Sequence, residues 1–224
     1  MTTNADRPAR VHPTAMVEEG VTLGPGTSVW DHAHVRGPGT TLGRDCIVGG
    51  KTLIAYGVTV GDRCKINSNA YVCNGVTLGD GVMLGAGTTF TNDRSPRACE
   101  PDGLRLRGSE PDDHTLATTV GEGATFGANV TVGPGLTVGR WAMVGMAAVL
   151  TRDVGDFCLV VGFPARPVGA VCRCGPPLFR GDPADPAHAG EHACGACGRR
   201  YMNNGGRITE APPEVGADPA DAPA

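Results

Sequence analysis

An aliphatic or aromatic residue recurs every six positions over most of this chain. The longest unbroken run is Leu42, Val48, Ile54, Val60, Ile66, Val72, Leu78, Leu84 and Phe90. Val11, Val17, Leu23, Val29 and Val35 precede it, and Val120, Phe126, Val132, Val138, Val144 and Leu150 follow. A period of six fits neither a helix at 3.6 nor an ordinary strand at two. It is the period of a parallel β-helix built from hexapeptide repeats. Three hexads form one triangular coil, and each supplies a short strand and a corner. The apolar residue points inward and stacks on its counterpart one coil away, at about 4.8 Å. Corners turn tightly, so the next position is expected to favour Gly, Asn or Asp. Gly24, Gly43, Gly61, Gly79, Gly85, Gly127 and Gly145 all follow an inward residue directly.

The interruptions divide the 224-residue chain. Residues 1–10 read as a disordered lead, and the β-helix is expected over 11–168. Val35 and Leu42 are seven apart, which places one extra residue near Gly37-Pro38. Residues 91–119 leave the repeat as a polar, proline-containing excursion, the kind of loop that carries function on a regular scaffold. Residues 169–202 form a small cysteine-bearing appendix, and 203–224 read as a disordered tail rich in Pro, Ala, Gly and Glu. The formal net charge of −4 gives no reason to expect nucleic acid or an anionic membrane as partner. No segment reads as a signal peptide or spanning helix. Nine cysteines without a secretory signal read as reduced thiols plus a metal site in a cytoplasmic protein.

Four of those cysteines are spaced as ligands. Cys172 and Cys174, then Cys194 and Cys197, form a Cys-x-Cys and a Cys-x2-Cys pair. Four thiolates so placed hold a tetrahedral structural zinc in a ribbon; a disulfide pair or unliganded thiols are the alternatives. Such a site is closed and takes no part in catalysis. Cys46, Cys64, Cys73 and Cys158 read as small buried packing residues. The fold class expected is therefore all-β: a parallel β-helix with a zinc-ribbon-like appendix.

Further motifs carry a family likeness. They are Val29-Trp30 with His34-Val35-Arg36, Lys65-Ile66-Asn67-Ser68-Asn69, Phe90-Thr91-Asn92-Asp93 with Pro96-Arg97, and the exit Val161-Gly162-Phe163-Pro164-Ala165-Arg166. Over about residues 11–201 the chain resembles the left-handed β-helix hexapeptide-repeat acyltransferases. Within them it is similar to the branch that N-acetylates 3-amino sugars on nucleotide carriers, of the 3-amino-glucuronate and dTDP-3-amino-3,6-dideoxyhexose types. The left hand comes from this resemblance, against the usual crossover rule. So do a homotrimer, acetyl-CoA as cosubstrate and a nucleotide sugar as acceptor. That branch often has an acidic residue near the position of Asn74, where this chain carries an amide.

The resemblance also distributes roles. Asn92 would orient the sugar amine, and Asp93 would hold the ammonium or a hydroxyl; turn chemistry is the structural alternative for both. His34 is the best histidine candidate for a base, or a corner histidine bonded to a neighbouring carbonyl; His114 lies in the excursion. Arg36, Asn67, Asn69 and Arg97 are substrate-binding candidates, with Arg97 suited to a phosphate; Asn67 and Asn69 equally suit a structural asparagine ladder. CoA would lie along Gly127-Ala128, Gly145-Met146-Ala147, Thr151-Arg152 and Pro164-Ala165-Arg166, where small residues admit the pantetheine arm and arginines meet phosphates.

The expected chemistry is modest. A sugar amine should titrate near an α-amino group, about 8, rather than near a lysine, about 10.4. Roughly a tenth is then neutral at pH 7, a cost of about 1.4 kcal/mol, so direct amine attack needs no strong base. An O- or N-acyltransferase on another small molecule, or a non-catalytic trimeric scaffold, are the rival readings. The γ-type carbonic anhydrases share the repeat but need histidines on successive coils, and Ile66–Phe90 contains none.

Overall fold

The computed structural model describes residues 7–212. It is an all-β solenoid of stacked parallel strands, most of them two residues long. Three faces form the triangle. One starts at Arg10–Val11 and runs through Ser28–Val29, Ile47–Val48, Lys65–Ile66, Met83–Leu84, Thr125–Phe126 and Met143–Val144. The second holds seven strands, from Met16–Val17 to Val149–Leu150, and the third holds six, from Thr22–Leu23 to Thr137–Val138. Within the regular coils a strand pairs in parallel with the strand 18 residues on, as in Lys65↔Met83 and Ile66↔Leu84. The expected slip is present: Thr22 pairs with Thr41, one residue beyond the usual step, and the extra residue sits at the cis Gly37-Pro38 bond.

The inward column is fully formed. Val35, Val48, Ile54, Ile66, Val72, Leu84, Phe90, Phe126 and Val132 are all completely buried. Two positions before each inward residue, a small side chain fills the corner: Thr27, Ala33, Thr40, Cys46, Thr52, Val58, Cys64 and Ala70. The hydroxyls there are satisfied by the next coil, Thr27 Oγ1 donating to Gly43 O at 2.7 Å and Thr52 Oγ1 to Asn67 O at 3.0 Å. Cys46 and Cys64 do the same through sulfur, each 3.1 Å from a glycine carbonyl.

The glycines after the inward residues have a different reason from the one expected. Their φ values are not positive. What forbids a side chain there is the neighbouring coil: a Cβ on Gly85 would lie 2.5 Å from Ala128 N and from Gly127 C. The tight turn is made two residues later, at the third position after the inward residue. There the backbone is left-handed whether the residue is glycine (Gly57, Gly81, Gly87) or not (Asp45, Arg63, Asn69, Asn129, Trp141, Ala147).

Three boundaries also differ from expectation. The lead ends earlier, since Arg10 already pairs with Ser28; residues 1–6 lie outside the described residues. The coil does not run evenly to 168. Cys158–Gly162 pairs in parallel with Met143–Val144, and then Ala165–Val171 and Pro177–Arg180 add to the same face as antiparallel strands. The tail does not begin at 203: Arg200–Asn204 is the central strand of a three-stranded antiparallel sheet with Gly190–Ala193 and Arg207–Glu210. Composition misled here because Asn203 is polar yet buried. Its amide donates to Pro183 O and His188 O at 2.9 and 2.8 Å, and its Oδ1 accepts from Gly206 N. Only residues 213–224 of the expected tail lie outside the described residues.

The two kinds of glycine separate experimentally. A Cβ on Gly81, at φ +65°, would meet nothing nearer than Gly123 Cα at 4.0 Å, so Gly81→Ala should cost about 1–2 kcal/mol in left-handed strain. Gly85→Ala must push two backbones apart and should cost more than that. Denaturant midpoints of the two variants test the order; equal losses would contradict the clearance argument.

Candidate active site

The excursion leaves at a corner between the second and third faces. It departs after Thr89–Phe90 and rejoins at Thr118, which pairs with Val76. At that corner the residue two places after each inward position forms a column: Tyr56, Asn74 and Asn92. The column is laced by side chains. Asn74 Nδ2 donates to Tyr56 O at 2.9 Å, and Asn92 Nδ2 donates to Asn74 O at 3.2 Å. A carbonyl can only accept, so each amide must turn its NH2 toward the coil and its oxygen away. Asn92 Oδ1 has no hydrogen-bond partner among the described residues, and Asn92 lines a polar cleft of about 150 Å3. Tyr56, Asn74, Asp93, Arg97, Arg107 and Asp112 are among the other residues lining it.

The excursion is held by one arginine. Arg107 donates to Asp93 Oδ2 at 3.0 Å, to Asp112 Oδ2 at 2.5 Å and to Ser95 O at 3.3 Å, with only 18% of its side chain exposed. Asp93 Oδ1 accepts from Ser95 N at 2.7 Å. Both Asp93 oxygens therefore serve the loop, the turn role that its residue type also suited. Asp112, hydrogen-bonded by Arg107 and by the His114 amide, is held at about pKa 2. Arg97 donates one nitrogen to Pro96 O at 2.9 Å, and the residue lines the cleft.

The other candidates are dispersed. His34 lies on the second face, three strands before Thr89, or about 14 Å along the stack. Its Nε2 donates to Glu18 Oε1 at 2.6 Å, a carboxylate on the preceding coil rather than a carbonyl. This hydrogen bond and the Gly37 amide hold the Glu18 carboxyl below its ordinary value. Arg36 reaches the cleft only indirectly, its guanidinium 5.5 Å from the Tyr56 ring. Asn67 and Asn69 sit at the preceding corner. Asn67 Nδ2 donates to Leu84 O at 2.9 Å, and Asn69 makes the left-handed turn at φ 61°. No histidine lines the cleft.

That preceding corner, between the first and second faces, also carries Gly127, Ala128, Gly145, Met146 and Ala147. A Cβ on Gly145 would meet the Val161 side chain, and Val161 pairs with Arg166 as Gly162 pairs with Ala165. Gly145, Met146, Pro164, Ala165 and Arg166 are thus gathered at one end of the solenoid, beside the exposed side chains of Met146 and Phe163. Thr151 and Arg152 fall at the following corner.

The four appendix cysteines converge. Their sulfurs lie within 4.8 Å of one another, with Cys172–Cys174 and Cys174–Cys197 at 3.3 Å, Cys172–Cys197 at 3.5 Å and Cys174–Cys194 at 3.6 Å. All are free thiols. Sulfurs at about 2.3 Å around a tetrahedral zinc stand about 3.8 Å apart, so this donor set fits that metal. Burial opposes ionisation of Cys197, but the Arg199 amide and guanidinium and the neighbouring thiols outweigh it and hold this thiol at about 6.

Sequence reasoning missed Tyr56 and Arg107. Tyr56 stands 18 residues before Asn74 and 36 before Asn92, so the coil period alone points to it. Arg107 has no such signal, because its partners are set by an irregular loop.

Parts of the chain resemble known families and proteins. Residues 57–92 match the family of bacterial transferase hexapeptide repeats (six repeats), and residues 39–74 and 117–152 match the hexapeptide repeat of succinyl-transferase. The chain is thus a hexapeptide-repeat β-solenoid. It is 36% identical over 93 residues to the dTDP-3-amino-3,6-dideoxy-α-D-galactopyranose 3-N-acetyltransferase of Aneurinibacillus thermoaerophilus. That match covers 42% of this chain and 44% of the relative, less than half of either. Among solved structures, a mutant perosamine N-acetyltransferase from Caulobacter crescentus, in complex with CoA and GDP-perosamine, is 26% identical with a TM-score of 0.46. It covers 73% of this chain and 57% of that one. An N-acyltransferase mutant from Bacillus cereus, in complex with dTDP-4-amino-4,6-dideoxyglucose and Coenzyme A, is 15% identical with a TM-score of 0.47, covering 75% and 86%.

The Arg107 pairs set an acid limit on the loop. The Asp112 carboxyl is depressed on folding, so its contribution is complete above the ordinary carboxylate range near 4 and is lost as pH falls toward 2. Amide exchange over residues 93–115 should accelerate in that window beyond the intrinsic pH effect, while the coils keep their protection. Arg107→Ala should produce the same loosening at neutral pH.

Proposed function

We propose that the chain is an acetyl-CoA-dependent N-acetyltransferase acting on the amino group of a nucleotide-linked 3-amino sugar. The observation that carries this reading is Asn92. Its amide nitrogen is committed to the coil, which leaves its oxygen as an unused acceptor on a residue that lines the cleft. Such an oxygen takes a hydrogen from an amine and leaves the nitrogen lone pair free to attack. The match to a dTDP-3-amino-sugar 3-N-acetyltransferase over 93 residues supports the acceptor class.

The reaction needs little from side chains. The neutral amine attacks the thioester carbonyl carbon, a C–N bond forms, and the C–S bond breaks with its electron pair leaving on sulfur. The amine proton, no longer held on the amide product, neutralises the CoA thiolate, directly or through water. Alignment supplies several kcal/mol without a dedicated base. Asn92 binds and orients, Arg97 faces the nucleotide phosphates, and Asp93 acts through Arg107 by fixing the loop. His34 stands too far along the stack to take the amine proton within one chain. CoA lies along the corner of Gly127, Gly145 and Met146 toward Arg166, and acceptor and donor meet in a homotrimer, which would cover exposed Met146 and Phe163. Structural zinc on Cys172, Cys174, Cys194 and Cys197 and a cytoplasmic location complete the reading.

Incubation with acetyl-CoA and dTDP- or UDP-linked 3-amino sugars should release free thiol, and no release with either carrier would overturn the acceptor assignment. Asn92→Ala should lower kcat/KM by about 2–10-fold, the range for a neutral hydrogen bond worth about 0.5–1.5 kcal/mol. His34→Ala should leave kcat within about twofold; a large loss would restore a base at that position.

A further inference from the structure

We infer that metal occupancy of the four-cysteine cluster locks the strand that carries the cofactor residues, so that losing the metal weakens CoA binding. This rests on the zinc and acetyl-CoA readings above and adds a connection between them.

The cluster is assembled from two separate sheets. Cys172 and Cys174 lie in the turn that joins Ala165–Val171 to Pro177–Arg180, the last two strands of the solenoid's first face. The turn is closed by Gly175 N donating to Cys172 O and Cys172 N donating to Pro176 O. Cys194 and Cys197 lie in the turn that joins Gly190–Ala193 to Arg200–Asn204, in the three-stranded sheet. A metal bound by all four sulfurs is therefore a bond between the solenoid's end and the appendix.

The other contacts between them are small. The buried cluster is Phe157, Ala170, Cys172, Cys194, Tyr201 and Ile208, of which two are metal-ligand candidates, with Trp141, Leu178 and Phe179 packed against it. Phe179 also meets His188 and His192 at 4.8 and 4.4 Å, and Arg173 pairs with Glu210 at 3.6 Å. So small an apolar core is commonly reinforced by a staple. Further contacts lie at the cysteines themselves. Phe157, the last corner of the solenoid, meets Tyr201 edge-on at 5.1 Å, and the Tyr201 hydroxyl lies 3.1 Å from Cys172 Sγ while accepting from Arg173 N. Removing the metal would leave four clustered thiols in place of one charge-compensated centre.

One strand transmits the change. Ala165–Val171 begins with two of the cofactor candidates, Ala165 and Arg166, and ends one residue before Cys172. Its pairing with Cys158–Gly162 places Arg166 opposite Val161, the side chain against which Gly145 packs. Fraying this strand from its cysteine end would release Arg166 and uncover the edge that flanks Gly145 and Met146.

The test uses the full chain. Elemental analysis should find about one zinc per chain. Removing it with a chelator should abolish amide protection over residues 165–204, leave residues 41–90 protected, and raise the CoA dissociation constant in calorimetry at least tenfold. Zinc readdition should reverse both changes, and Cys197→Ser, a ligand change remote from the cofactor corner, should reproduce them. Unchanged protection of 158–171 or unchanged CoA affinity in the metal-free protein would overturn the inference. A protein that neither contains nor takes up zinc would overturn it together with the metal site. A zinc-loaded protein without CoA affinity would overturn it through the acetyl-CoA reading, so the two failures are told apart.

Discussion

Everything in this molecule depends on one constraint: each coil must lie directly on the last, at strand spacing, along the whole solenoid. Parallel hydrogen bonds between residues 18 apart fix that distance, and the inward side chains have to fill a narrow triangular column at the same pitch. The constraint reaches past the inward residue to its neighbours. The following residue lies so close to the next coil that a Cβ at Gly85 or Gly127 would strike backbone. The residue two before must be small and, where polar, must bond across the corner, as Thr27 and Thr52 do. The third residue after must adopt a left-handed backbone. Side chains able to carry chemistry are confined to the remaining positions and to the corners where, as at Trp30, Arg36 and Asn67, no glycine follows the inward residue.

The cleft uses those free positions. Tyr56, Asn74 and Asn92 share one corner because they share a place in the hexad, and the lattice that stacks the core also stacks them. The asparagines do two jobs at once. Their nitrogens satisfy backbone carbonyls that a corner would otherwise expose, and this commitment fixes which atom faces outward. A rotating amide in a loop would present either end; here the fold has chosen the oxygen. The loop that follows is irregular, so it needs its own fixing point. Arg107, bridging Asp93 and Asp112, provides one with a planar fork suited to two carboxylates.

The legibility of the sequence follows the same division. The column, the slip at Gly37-Pro38 and the break after Phe90 could all be read, because a strict period makes any departure visible. The reason for the glycines was misread, since sequence shows that a side chain is absent but not which neighbour excludes it. Asn67 and Asn92 both follow the hexad closely, yet one lies at the corner between the first and second faces and the other at the cleft, and only the phase of the coil separates them. His34 could be singled out by type, but its distance from Asn92 is a count of strands. Arg107 and the burial of Asn203 had no local signal, because each has partners set by irregular chain, Asp93 14 residues before Arg107 and Pro183 20 residues before Asn203.

A solenoid ends differently from a globular domain, and this explains the appendix. The last coil offers an open row of backbone groups, and an uncovered parallel edge is a template for further pairing. Here the chain reverses at Phe163-Pro164 and lays two antiparallel strands on the first face, so that the growing direction is blocked by strands of the opposite sense. That cover must itself be anchored, and the inward column has no more apolar length to offer. Phe157 is the large buried side chain that the last corner contributes to the cluster beneath the appendix, with Trp141, Leu178 and Phe179 packed against it. A metal held by the four thiolates, as proposed above, would supply a strong, directional anchor in the volume of a few side chains. It would also tie the stability of the solenoid's end, where the cofactor candidates gather, to a group that can be gained or lost without touching the column that holds the rest.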